Sequence, residues 1–226
     1  MAEKEQVSKQ ISVYKNNKAL LETLNCLRSA PKTTPWHIHA AGKKEGYSLI
    51  RLVAVDYSKG RDSISVYANL KPEEIKYIFM KLCFGFESFY LHQQKIFRKG
   101  EGDSGAVTML TIERSEYDEK GQKRNFPWSV DIHNGTGIVE GTRNGGQHCK
   151  SKSYRETGRV KIYLEDITFF QMLSRTCAVI HAFEQKELYR EREIHNFQNL
   201  YRLIRKEMDA FVKQDADQGY GDGRAA

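Results

Sequence analysis

The chain has 226 residues, with 36 lysines and arginines against 29 aspartates and glutamates, a net charge of +7 and 39% hydrophobic residues. That length suits one large domain or two small ones, and the short periodic apolar runs exclude wholesale disorder. No apolar run approaches the roughly 20 residues of a transmembrane helix, and the polar start has no signal-peptide core, so a cytoplasmic protein with no membrane partner is expected. Cys26, Cys83, Cys149 and Cys177 form no CxxC pair and read as reduced thiols. A basic chain carrying 11% aromatic residues favours a polyanionic partner.

In chain order, a segment 1–34 comes first. It holds an early strand near 10–14 and a short helix over 19–27, where Leu20, Leu21, Leu24 and Leu27 fall at helical spacing. Strands are predicted over 36–41, 47–56 and 63–68, separated by Gly42, Gly46 and Gly60. A helix follows at once. Lys71-Pro72-Glu73-Glu74 supplies its first turn, Ile75, Ile78, Phe79, Leu82, Cys83 and Phe86 its apolar stripe, and it continues past a kink at Gly85 towards Phe97. The charged, glycine-rich stretch 99–105 reads as a linker, closing a first repeat over 35–98.

A second repeat over 106–186 follows the same plan, with strands at 106–115, 128–133 and 159–164 and an ill-defined stretch through 139. Its helix opens on Asp166 as N-cap and carries Phe169, Phe170, Leu173, Cys177, Ile180 and Phe183 on one side. The duplication shows in two places. Pro35-Trp36-His37-Ile38-His39 and Pro127-Trp128-Ser129-Val130-Asp131 open similar strands, and in both halves a tyrosine-bearing strand runs straight into a helix. Beyond the second repeat, Ile194, Phe197, Tyr201, Ile204, Met208 and Phe211 alternate by three and four in a C-terminal helix over 187–213. This is the pattern of helices that pair, so the stripe 194–211 either docks on its own sheet or forms a homodimer. Residues 214–226 are polar and read as a disordered tail. The expected fold class is α+β: two similar repeats of antiparallel sheet followed by a helix, plus a C-terminal helical extension.

Strand alternation turns Tyr67 in the first repeat and Tyr163 in the second away from the core, at the same position in each. A tyrosine on an open sheet face stacks on an unpaired base, and neighbouring cations neutralise phosphate. The bland alternative is that tyrosine is simply a good strand residue. Charge concentrates in Arg143, Lys150, Lys152, Arg155, Arg159 and Lys161 around Tyr154, with Gly145-Gly146 as a source of flexibility. Lys120, Lys123 and Arg124 form a second basic loop, and Lys43, Lys44, Lys59 and Arg61 a milder set in the first repeat. Trp36 and Trp128 share strand faces with Ile38 and with Val130 and Ile132, which points to the core.

His37 and His39 raise a different chemistry. A His-hydrophobe-His strand presents both imidazoles to one side, as divalent-metal ligands require, and is the signature of HUH nucleases, which nick single strands with a helix-borne tyrosine; Tyr77 is the candidate here. No P-loop is present, Gly135-Thr136-Gly137 lacks a dinucleotide-site context, and adjacent His148-Cys149 lack chelating spacing.

Two strand-rich units, each closed by a helix and bearing a basic, aromatic sheet face, resemble the tandem architecture of the Whirly and PUR families over residues 35–183. The resemblance implies binding of single-stranded nucleic acid with low sequence specificity. The resulting expectation is non-catalytic binding of single-stranded DNA or RNA, DNA first, without a cofactor. Tyr67 and Tyr163 stack on bases, and the basic loops hold phosphates. The alternatives are the metal-dependent nicking nuclease using His37, His39 and Tyr77, and a protein-interaction scaffold built on the C-terminal helix.

Overall fold

A computed structural model of the chain describes residues 8–30, 39, 47–58, 60–98, 103–142 and 146–218. Four antiparallel strands open it: β1 (Gln10–Lys15), β2 (Ala19–Cys26), β3 (Leu49–Asp56) and β4 (Ile64–Leu70), in spatial order β1-β2-β3-β4. Helix α1 (Pro72–Cys83) follows. The second half holds β5 (Ser88–Arg98), β6 (Ser104–Ser115), β7 (Trp128–Gly141), β8 (Gln147–Cys149) and β9 (Arg155–Leu164), and then the 53-residue helix α2 (Asp166–Gln218). Strand β7 is long enough to hold two partners, β9 along its first part and β8 along its last. The fold is α+β, with two antiparallel sheets, each closed by a helix. No helix among the described residues is long and apolar enough to cross a membrane.

Several predicted elements change type. Residues 19–27, expected as a helix, contain β2, in which Leu21 and Thr23 are buried at period two. The leucines sit at helical spacing by coincidence. The Asn16 side chain accepts the Lys18 and Ala19 amides at 2.8 Å each and turns β1 back into β2, where pairing with β3 takes over. The helix expected to reach Phe97 ends at Cys83. Gly85 takes φ +68°, the left-handed conformation that stops a helix, and its amide donates to the Leu82 carbonyl at 3.1 Å. The chain then leaves as β5, in which Phe89, Leu91, Gln93 and Lys95 are half-buried and Tyr90, His92 and Gln94 are exposed. It therefore passes from one sheet to the other between Cys83 and Ser88; of the expected linker 99–105, Ser104 and Gly105 belong to β6, and 99–102 lie outside the described residues. Helix α2 has no break at 187 and includes 214–218, so the expected disordered tail is helical as far as Gln218. Of the expected strand 36–41 only His39 is described, as a bridge to Ser29; the rest, with Trp36 and His37, lies outside the described residues.

A single core joins the two halves. Leu52, Ala54, Val66 and Ala68 from the first sheet, Leu110, Ile112, Val130, Ile132, Val160 and Ile162 from the second, Ile75 and Ile78 of α1 and Phe169, Leu173 and Ile180 of α2 form one buried cluster. The helices reach across. Thr176 of α2 hydrogen-bonds Thr23 at 3.0 Å, and Ser12 bonds Thr23 at 2.8 Å and the Met172 carbonyl at 3.3 Å, so the second half's helix covers the first sheet. Glu74 of α1 receives Gln93 of β5 at 2.8 Å, and Tyr77 lies 6.4 Å from Phe89. Between the sheets, the Asn134 side chain accepts the Tyr67 amide and donates to the Tyr67 carbonyl, both at 2.9 Å, taking the place of a strand partner at the edge of β4.

The start of α2 is fixed by charge. Arg114, 8% exposed, gives Asp166 two hydrogen bonds of 3.1 Å, and Trp128, 1% exposed, donates its indole N–H to the same carboxylate at 2.7 Å. The Arg114 hydrogen bonds hold the Asp166 carboxyl below its ordinary value of 3.8 despite partial burial. A carboxylate depressed in the folded state stabilises the fold above its unfolded pKa and loses that contribution as pH falls through the folded value. Asp166→Asn is expected to cost about 2 kcal/mol at pH 7 in urea unfolding. The gap from wild type narrows as pH falls below the unfolded-chain aspartate value of about 3.9 and on through the lower folded value.

Candidate nucleic-acid interface

Two surfaces matter, the outer faces of the sheets. On the first, Arg51 and Tyr67 stand side by side. The Arg51 guanidinium lies 4.7 Å from the Tyr67 ring centroid and is held by Asn69 through a 3.0 Å hydrogen bond. On the second, Lys161 Nζ lies 5.3 Å from the Tyr163 ring. Each tyrosine is on the strand of its sheet that comes last in the chain and is about half exposed, 44% for Tyr67 and 48% for Tyr163. They are not at the same position: Tyr67 precedes the end of β4 by three residues, Tyr163 that of β9 by one. The extra residues matter because they set Tyr67 beside the junction of the sheets, where Asn134 grips its backbone.

Much of the predicted positive charge is spent internally. Arg159 binds Asp131 through both carboxylate oxygens at 3.1 and 2.7 Å. Burial pushes the Asp131 carboxyl up, but Arg159 and His133 outweigh it and hold the group below its usual value. His133 bridges Asp131 at 3.1 Å and Glu156 at 2.8 Å. Lys123 pairs with Glu116 at 3.1 Å and Lys150 with Glu140 at 2.9 Å. Arg61, Arg124, Lys152, Arg155 and Lys161 carry no ion pair among the described residues, whereas Lys43, Lys44 and Arg143 lie outside them.

The expected flexible loop before β9 is pinned where it is described. Ser153 Oγ accepts the Ile138 amide at 2.9 Å and donates to the Lys150 carbonyl at 2.8 Å, while Lys152 takes φ +64° to close the turn. Tyr154 is half-buried rather than offered to a ligand, and desolvation pushes its phenol above its usual pKa. Its ring lies over Gly135, where a Cβ would fall 2.6 Å from the ring and 2.4 Å from the Arg155 carbonyl oxygen. Lys152 and Arg155 nevertheless meet at a groove of about 320 Å³ lined also by Ser104, Thr136 and Ser153, a set of cations and hydroxyls suited to phosphate oxygens.

The histidine pair does not come together as a metal site in what is described. His37 lies outside the described residues, and both His39 nitrogens are engaged, Nδ1 with Ser48 at 2.9 Å and Nε2 with Glu184 at 3.0 Å. Among the described residues no group of three His, Cys, Asp or Glu side chains is placed to hold a metal ion. Tyr77 is exposed on α1 with Lys81 5.5 Å from its ring. Sequence reasoning missed Arg51 and Phe126. Arg51 was legible as the outward residue between Ile50 and Leu52, but its stacking on Tyr67 required the β3–β4 register. Comparison of the chain with protein-family models, curated proteins and solved structures finds no match.

The glycine beneath Tyr154 provides a direct check on this surface. Gly135→Ala is expected to expel the Tyr154 ring, costing about 2 kcal/mol. The melting temperature by circular dichroism then drops by roughly 4–8 °C.

Proposed function

We propose that this protein binds single-stranded nucleic acid, DNA in the first instance, without catalysis and with low sequence specificity, in the manner of the Whirly and PUR families it resembles. The observation that carries the reading is the recurrence, on both sheets, of a half-exposed tyrosine with a cation beside its ring. A base stacked on such a ring brings its own phosphate to the neighbouring guanidinium or ammonium. Lys161, Lys152, Arg155 and Arg124 supply phosphate contacts; Arg159, Lys123 and Lys150 contribute long-range field more than direct bonds, because carboxylates already hold them. No cofactor is required by this chemistry, and four free cysteines fit a cytoplasmic, reducing setting.

Fluorescence anisotropy of a labelled single-stranded oligonucleotide against its duplex tests the reading. Preference for the single strand with a steep salt dependence is expected. Tyr67→Ala with Tyr163→Ala should weaken binding about tenfold or more, at roughly 1–3 kcal/mol per lost stack. Equal affinity for strand and duplex, or a double variant that binds as wild type, would sink it.

A homodimer through α2 belongs to the same proposal. The helix continues from the buried Glu187 to Gln218 and carries Tyr189, Tyr201 and Ile204 exposed. Light scattering is expected to give a dimer mass for the full chain and a monomer mass for Tyr201→Glu with Ile204→Glu. A monomeric wild type at tens of micromolar would remove the dimer.

A further inference from the structure

We propose that the groove between the free edge of β9 and the β1–β2 turn is a subsite for one nucleotide, taking an unstacked base and its phosphate. This rests on the single-strand reading above and adds a site that no sequence pattern indicated. The groove, about 320 Å³, touches Val160, Lys161, Ile162 and Tyr163 in succession. Consecutive strand residues point to opposite faces, so a groove that meets four in a row runs along the strand's edge. One edge of β9 is hydrogen-bonded to β7. The groove therefore lies along the other, where main-chain N–H and C=O groups have no strand partner among the described residues. Such a row of alternating donors and acceptors on rigid backbone matches the hydrogen-bonding edge of a base.

The walls supply the remaining contacts. Phe126, on the connection from β6 to β7, lines the groove beside Tyr163, is 45% exposed, and meets no other aromatic ring among the described residues. A half-exposed phenyl ring next to an exposed tyrosine offers two faces to a flat heterocycle. Lys18 at the β1–β2 turn and Lys161 on β9 line the same groove against one carboxylate, Asp56, and neither lysine has an ion pair among the described residues, so both are available to a phosphate. The volume is at the small end for ligand sites, which run from roughly 300 to 1,000 Å³, and suits a single nucleoside. An added peptide strand needs a continuous lane about 4.8 Å from the edge. Asn16 and Lys18 form the opposite wall of the groove, which makes that occupant the poorer fit.

The test uses the full chain and two labelled probes of equal charge, a 15-residue oligothymidylate and an abasic strand of the same length. Wild type, Phe126→Ala, Phe126→Trp and Lys18→Gln are compared by anisotropy, with thermal melts to confirm folding. The expected result is about a tenfold loss for Phe126→Ala on oligothymidylate, no change on the abasic strand, and recovery with Phe126→Trp. Lys18→Gln should weaken both probes and lower the salt slope. If wild type binds oligothymidylate while Phe126→Ala and Lys18→Gln bind as tightly, the groove is not the site and the broader reading stands. If wild type binds neither probe, both fall. Displacement of oligothymidylate by an uncharged strand-forming peptide would assign the edge of β9 to a protein partner and overturn the nucleotide.

Discussion

The contact on which the rest of the molecule depends is the carboxylate of Asp166. It sits where β9 turns into α2 and is claimed at once by Arg114 from β6 and by the indole of Trp128 from β7. A guanidinium as buried as Arg114 needs that negative charge, and Arg114 in turn donates to the Phe86 carbonyl at 2.6 Å, where the chain crosses from one sheet to the other. Three strands, one helix start and the crossover are thereby fixed around one group. Phe169, a turn along α2, packs at a tilt against Trp128 with ring centroids 4.8 Å apart and carries that placement into the core.

From that anchor α2 runs across the first sheet, and this makes the two halves one body. Its Thr176 and Met172 meet Ser12 and Thr23 through a short polar seam in an otherwise apolar layer. Further along, Glu184 gathers Lys76 of α1 at 2.5 Å and His39 at 3.0 Å, and Phe183 stacks on His39 at 5.3 Å. With its inner face covered, each sheet has only its outer face and unpaired strand edges left for a ligand. There, Asp131, Glu116 and Glu140 take up three of the cations that the sequence displays, Arg159, Lys123 and Lys150. Of the cations left unpaired, Lys161 stands beside an aromatic ring, and Lys152 and Arg155 share a groove.

The candidate surface was partly legible. Tyr67 and Tyr163 face outward because strand alternation leaves them no choice, given the buried Val66, Ala68, Ile162 and Leu164 around them. Which cations are free was not legible. Arg159 and Lys161 are equivalent in any count of charge, and the β7–β9 register sets Lys161 directly opposite Asp131, yet it is Arg159, opposite His133, that gives this carboxylate its two hydrogen bonds. Phe126 gave no signal as an isolated aromatic before a proline, and becomes part of a groove only when the β1–β2 turn arrives opposite it.

The sequence by itself determined the α+β class, the strand-to-helix passages at Leu70 and Leu164, the helix beginning at Pro72 and the one at Asp166. All of these are local: period-two burial, a proline in a first turn, an acid at an N-terminus. Tertiary structure decided the rest. Leucines spaced for a helix in 19–27 became a strand because β1 and β3 offered hydrogen-bonding edges on both sides, and 88–97 became β5 because β6 did. Pairing energy comes from partners distant in the chain, so no window of residues contains it. The reach of α2 across the first sheet, the grip of Asn134 on β4 and the groove along β9 share that origin.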